Sequence, residues 1–129
     1  MRGALIVAAL ACGVVLENLH AWATSGHAWA TSTVPYYVNT QNDKGLTGAN
    51  IVSDLRNAAA VWPTQANVNV QLQYAGATTA TTLALDYKNN VFFRNDTSPY
   101  GYMAETYYWY DGSNHLVDFD MVWHEGGYG

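Results

Sequence analysis

The clearest helical spacing in the chain lies at Leu46 to Pro63, where Ile51, Leu55, Ala58, Ala59 and Trp62 recur at steps of three and four. At 3.6 residues per turn these side chains share one face, while Asp54, Arg56 and Asn57 fall on the other. Thr47 or Asn50 can cap the start. Pro63 ends the next turn, because its ring excludes the preceding carbonyl and it has no N–H to donate. One apolar stripe needs one apolar surface, and burying Ile51, Leu55 and Trp62 contributes about 1.5–3 kcal/mol each. The remaining pattern supplies that surface as strands. Thr33 to Asn39 is rich in β-branched and aromatic residues, with Pro35 near its beginning or on an edge. Val68 to Tyr74 alternates, with Val68, Val70, Leu72 and Tyr74 on one side and Asn69, Gln71 and Gln73 on the other. Asn90 to Arg94, Tyr102 to Tyr110 and Leu116 to Trp123 complete five strands, and Thr82 to Tyr87 reads as a further short extended piece. Strand, helix and strand from Thr33 to Tyr74 form a βαβ unit with an expected right-handed crossover. Five strands and one helix make an α+β chain in which one sheet face lacks an evident cover.

Composition narrows what such a fold does. With 129 residues the chain fits one domain, and 50% apolar against 12% charged residues rules out a disordered chain. A net charge of -5 repels a phosphate backbone, so no nucleic acid partner is expected. Residues 1–23 read as a secretory signal peptide: Arg2 is the positive region, Gly3 to Leu16 the apolar run, and Ala21-Trp22-Ala23 a small-x-small cleavage site. The expected location is therefore extracellular. The apolar run is too short to span a bilayer, so no stable membrane anchor is expected. Cys12 is the only cysteine and lies in that run, so the mature chain forms no disulfide. The unit His-Ala-Trp-Ala-Thr-Ser occurs at His20 to Ser25 and again at His27 to Ser32. Residues 24–32 are read as a short lead into the domain.

Three groups are candidates for chemistry. His124-Glu125 begins like a zincin helix, but that motif needs a second histidine four residues on, where Tyr128 stands, and Gly126 and Gly127 disfavour a helix. The pair is expected to be a solvated strand end. Asp118 and Asp120 are two apart on one strand and share a face; they either hold a hard cation such as calcium or form a polar face that needs no ligand. The run Tyr107, Tyr108, Trp109, Tyr110 either stacks sugars or binds peptide along an exposed edge, or is core and interface.

In order along the chain, WATSTVPYYVN at Trp29 to Asn39, AAAVW at Ala58 to Trp62, NVQLQYAG at Asn69 to Gly76, NNVFFRND at Asn89 to Asp96, AETYYWYDG at Ala104 to Gly112 and VDFDMVWHEGG at Val117 to Gly127 form a series. That series resembles the N-terminal half of matrixin-like zinc metallopeptidases, a metzincin branch of secreted proteases. The resemblance implies a twisted, mostly parallel five-stranded sheet with one helix after the first strand, and a second, active-site helix that this chain lacks. Residues 33–129 would be a partial catalytic domain, the upper subdomain of that fold. In the family, three histidines of His-Glu-x-x-His-x-x-Gly-x-x-His bind zinc and the glutamate activates water. That motif is absent from this chain, so no catalytic residue or zinc ligand carries over, and the chain alone is expected to be an inactive fragment of a secreted endopeptidase. What carries over is the substrate-edge strand, Ala104, Glu105, Thr106, Tyr107 and Tyr108, along which a protein or peptide substrate pairs through its main chain. Asp118 and Asp120 match the family's acidic strand, which often lies at a calcium site. The alternative is a stand-alone secreted module that binds peptide or glycan through its aromatic edge strand.

Overall fold

A computed structural model describes residues 25–126. The leader at 1–23, Cys12, the first repeat copy from His20 and the end from 127 to 129 lie outside the described residues. The helix, α1, spans Gly48–Val61 and is capped as its sequence suggests: Thr47 is the N-cap, and its side chain accepts a hydrogen bond from the Asn50 amide at 3.3 Å. Thr47→Ala should lower stability by about 1 kcal/mol, read as a lower urea midpoint at unchanged slope. Pro63 sits in a 3₁₀ turn, Trp62–Thr64, which ends the α-helical pattern. Ile51 and Ala59 are buried and Leu55 packs half-buried against the core, but Ala58 and Trp62 are exposed, Trp62 by 53%. The stripe expected to end in a buried tryptophan is therefore shorter, because the 3₁₀ turn begins at Trp62 and puts its ring on the rim of the sheet.

The fold is α+β, with one α-helix among the described residues and a mostly parallel sheet. Its strands are β1 (Ala28–Trp29), β2 (Thr33–Val38), β3 (Gln71–Ala77), β4 (Asn90–Arg94), β5 (Ala104–Tyr110) and β6 (His115–His124). They run in the order β1-β6-β4-β2-β3, and β5 alone pairs antiparallel, along β6. The sixth strand, β1, comes from the second repeat copy and pairs with His115 and Leu116. Two residues carry no alternation, which is why the sequence pattern does not reveal it. The strand expected at Val68 to Tyr74 starts three residues later. Its pairing begins only where Gln71 donates to the Ser32 carbonyl beside the start of β2, and the preceding segment has no neighbouring strand. Pro35 lies inside β2 although that strand is interior. The amide it lacks would point toward β4, where β2 pairs only from Tyr37 onward. Thr82 to Tyr87, expected as an extended piece, is not a strand; its amides are taken by carboxylates, as described below.

The sheet has two unlike faces. Tyr36, Val38 and Val91 pack with Ile51 and Ala59 of α1, and Phe93, Phe119, Met121 and Trp123 extend that apolar layer beyond the helix. Asn90, Phe92, Asp118, Asp120, Val122 and His124 point to the opposite face and are buried although no helix among the described residues lies over them. Two loops, 78–89 and 95–103, bond to side chains on this face instead. Bare apolar surface thus remains on the helix side, where Trp29, Trp62, Leu72, Tyr108, Phe119 and Met121 line a groove of about 380 Å³. Among the described residues no helix is long and apolar enough to cross a membrane.

Candidate functional site

Strand alternation places Asp118 and Asp120 on the same face, as the two-residue spacing requires, and both are fully buried. Their partners are main-chain amides of the loop before β4. Asp118 Oδ2 accepts from Asp86 at 2.9 Å and from Tyr87 at 2.8 Å; Asp120 Oδ2 accepts from Ala84 at 2.9 Å. Asp120 Oδ1 accepts both the amide and the side-chain Nδ2 of Asn90, each at 3.1 Å. Burial pushes the Asp118 carboxyl above the ordinary carboxylate range, and the nearby charges of Asp120 and Asp86 push the same way against the two amide bonds. The pair closes a loop across the sheet. Asp118 Oδ1 and Asn90 Oδ1 are buried without a hydrogen-bond partner.

At the other end of β6 a second cluster gathers from three strands and the 95–103 loop. His124 and Glu125 are buried, not the solvated strand end that their sequence suggests, because the 95–103 loop folds over them. His124 Nδ1 lies 2.6 Å from Asp96 Oδ1, and Nε2 lies 3.3 Å from Glu105 Oε1 but out of line for a hydrogen bond. The Arg94 guanidinium pairs with Asp96 Oδ2 at 2.8 Å. Ser98 Oγ donates to Glu105 Oε1, and the Tyr107 hydroxyl donates to Glu105 Oε2 at 2.9 Å. The His124 contact, helped by Arg94, holds Asp96 below the ordinary carboxylate range; the Ser98 and Tyr107 bonds do the same for Glu105. Glu125 Oε2 accepts from the Asp43 amide at 2.9 Å, tying the turn before α1 to the end of β6. Gly126 closes this corner: a Cβ there would stand 2.8 Å from the Asp96 backbone, so only glycine fits.

Ala104 to Tyr108, expected from the resemblance to form a substrate edge, all lie in β5, which pairs only with β6 and so keeps its outer edge free of any strand among the described residues. The aromatic run splits by alternation. Tyr107 and Trp109 turn toward the loop face opposite Asp120 and Asp118, while Tyr108 turns toward the helix face opposite Phe119. Tyr110 stacks on His27 with ring centres 3.7 Å apart. Asp96, Ser98, Asn90 and Ala84 are site residues that the pattern did not single out. Asp96 and Ser98 stand among the Asn, Pro and Gly residues of a loop, where no spacing ties them to His124, and the signal for Ala84 is a main-chain amide, which no side-chain motif encodes. Among the described residues no group of three or more His, Cys, Asp or Glu side chains is arranged to hold a metal ion. Comparison with protein families, curated proteins and solved structures finds no match to this chain.

Proposed function

We propose that this chain is the N-terminal, non-catalytic part of a secreted matrixin-like zinc endopeptidase, and that β5 is the edge along which its protein substrate lies. The observation that carries the reading is the outer edge of β5, which pairs with no further strand among the described residues and is the antiparallel strand there of a mostly parallel sheet with a helix after β2. An extended peptide would add there as a further strand, with main-chain hydrogen bonds giving affinity and alternate side chains meeting the two faces. Zinc would activate the attacking water in the full-length enzyme. The described residues do not fit that metal, since both ring nitrogens of His124 face carboxylates and no group of three or more ligating side chains gathers there. Calcium at Asp118 and Asp120 belongs to the same reading, with Asp118 Oδ1 as the open donor. Secretion through residues 1–23 belongs to it too.

The purified chain is expected to leave casein intact with or without added zinc. Hydrolysis that a zinc chelator abolishes would overturn the assignment of this part as non-catalytic. The source DNA beyond the codon for Gly129 tests the rest. An in-frame His-Glu-x-x-His supports the peptidase reading, and a stop codon reduces it to ancestry.

A further inference from the structure

At the opposite end of the sheet from β5 lies another bare edge. β3 ends the strand order and pairs with β2 alone among the described residues. Its Gln71 amide donates to the Ser32 carbonyl on the β2 side at 2.7 Å, so by strand alternation the N–H and C=O groups of Leu72 and Tyr74 point outward. A bulge after Tyr74, where the register slips before Gly76, leaves Gln71 to Tyr74 as the straight part of this edge. A lysine or another charge commonly guards such an edge, but β3 carries none, and no charged residue occurs anywhere from Asn57 to Leu85. Beside it is a groove of about 440 Å³, within the range of roughly 300–1,000 Å³ usual for ligand clefts. Leu72 and Tyr74 face α1 while Gln71 and Gln73 face the other way, and all four line the groove, so it follows the edge itself and not one face of the sheet. Arg56 of α1 and Tyr36 of β2 also line it.

These two side chains lack partners. Arg56 makes no ion pair among the described residues and is the one charged side chain lining the groove, positive in a chain of net charge -5. Tyr36 is 3% exposed, and its hydroxyl is buried with no hydrogen-bond partner. Such a group is costly to leave unpaired, and most buried hydroxyls have an acceptor. Burial pushes the Tyr36 hydroxyl up from its ordinary value, against the pull of the Arg56 charge, so it keeps its proton and can donate. Its ring is set edge-on to Tyr74 with centres 6.0 Å apart. A guanidinium and a phenolic donor suit the same group, a carboxylate, which only accepts and carries the single negative charge that one cation balances. We propose that an extended peptide adds to β3 as a further strand and sets an aspartate or glutamate carboxylate against Arg56 and the Tyr36 hydroxyl. The outward main-chain groups of Leu72 and Tyr74 supply its strand pairing. This site does not rest on the peptidase reading, because it uses the edge farthest from β5.

The test titrates capped pentapeptides of threonine and valine, with one glutamate at the second, third or fourth position, into the full chain and follows binding by NMR. Their glutamine counterparts and sodium acetate are the comparisons. At least one glutamate peptide should bind at millimolar concentration or below and shift the Leu72 and Tyr74 amides and the Arg56 side chain, and its glutamine counterpart should bind about tenfold more weakly. Arg56→Gln should remove that difference with an unchanged circular dichroism spectrum, since the side chain is exposed. Tyr36→Phe keeps the ring and should weaken the glutamate peptide while the urea midpoint holds or rises, because it deletes an unpaired buried hydroxyl. A fall in that midpoint with peptide binding unchanged would overturn the role of Tyr36 in the site. If no glutamate peptide shifts Leu72 and Tyr74, or if the shifts fall on β5 instead, the proposal is wrong. Equal binding of glutamate and glutamine peptides would overturn the carboxylate site, and acetate binding at Arg56 as tightly as the peptides would replace strand addition by a site for small carboxylates.

Discussion

Replacing Asp120 by alanine is expected to lower the stability of the fold by about 3–5 kcal/mol, a large share of the roughly 5–15 kcal/mol that holds a domain together. The carboxylate is fully buried and accepts three hydrogen bonds, from the Ala84 amide and from both donors of Asn90. Bonds to a charged acceptor are worth about 1.5–3 kcal/mol each, and truncation strands the donors in a site sealed by loop and sheet. Asp120→Asn keeps the shape and one acceptor oxygen, so it should cost less than the alanine variant. Asp118→Ala should cost less than Asp120→Ala: it frees the Asp86 and Tyr87 amides of the same loop, but it also removes a buried carboxyl that burial and the neighbouring Asp120 penalise. Urea unfolding followed by fluorescence measures the loss, and hydrogen exchange locates it: protection should vanish at Ala84, Asp86 and Tyr87 before the core strands lose theirs. A loss under about 1 kcal/mol would show that the loop is held by something other than these carboxylates.

The same pair shows how far the sequence could be read. Two carboxylates spaced by one residue in a strand must share a face, so their placement together was legible from period two alone. What they hold was not, because their partners are amides some thirty residues away, and every residue but proline has one. Asn90 to Arg94 matched its strand end for end, since a compact apolar run between polar loops leaves little freedom in its limits. Val68 and Val70 alternated as well as Leu72 and Tyr74 but stayed outside β3, since a strand extends only as far as its neighbour. Trp62 fitted the helical stripe and lies exposed because Pro63 changes the geometry one residue earlier than the spacing assumes. His124 and Glu125 looked like a polar strand end; their burial depends on where a loop of low pattern content comes to rest.

That loop is the source of the second large effect. His124→Ala is expected to destabilise the chain by about 1.5–3 kcal/mol, because an imidazole whose side chain is 2% exposed bridges the 95–103 loop and the start of β5 to the end of β6. The network is also expected to contribute to the acid sensitivity of the fold. Asp96 and Glu105 both have folded pKa values lowered from their ordinary 3.8 and 4.5, the first chiefly by His124 and the second chiefly by Ser98. A lowered carboxyl gives stability that is fully present well above its unfolded value and is lost as pH falls through the folded one, because the unfolded chain binds the proton first. Stability should therefore begin to fall as pH drops toward 4.5 and continue falling below 3.8, with Asp111, lowered by the amides of His115 and Ser113, adding to the same limb. Asp118 works in the opposite sense, since burial raises its carboxyl and protonation relieves it. Glu105→Gln removes one lowered group and should flatten the acid limb while leaving Asp120 and its loop intact. Unfolding free energy measured against pH for wild type, Glu105→Gln and His124→Ala separates these contributions. Equal acid slopes in all three proteins would mean that the cluster at His124 does not govern acid sensitivity, and that the carboxyls elsewhere in the fold do.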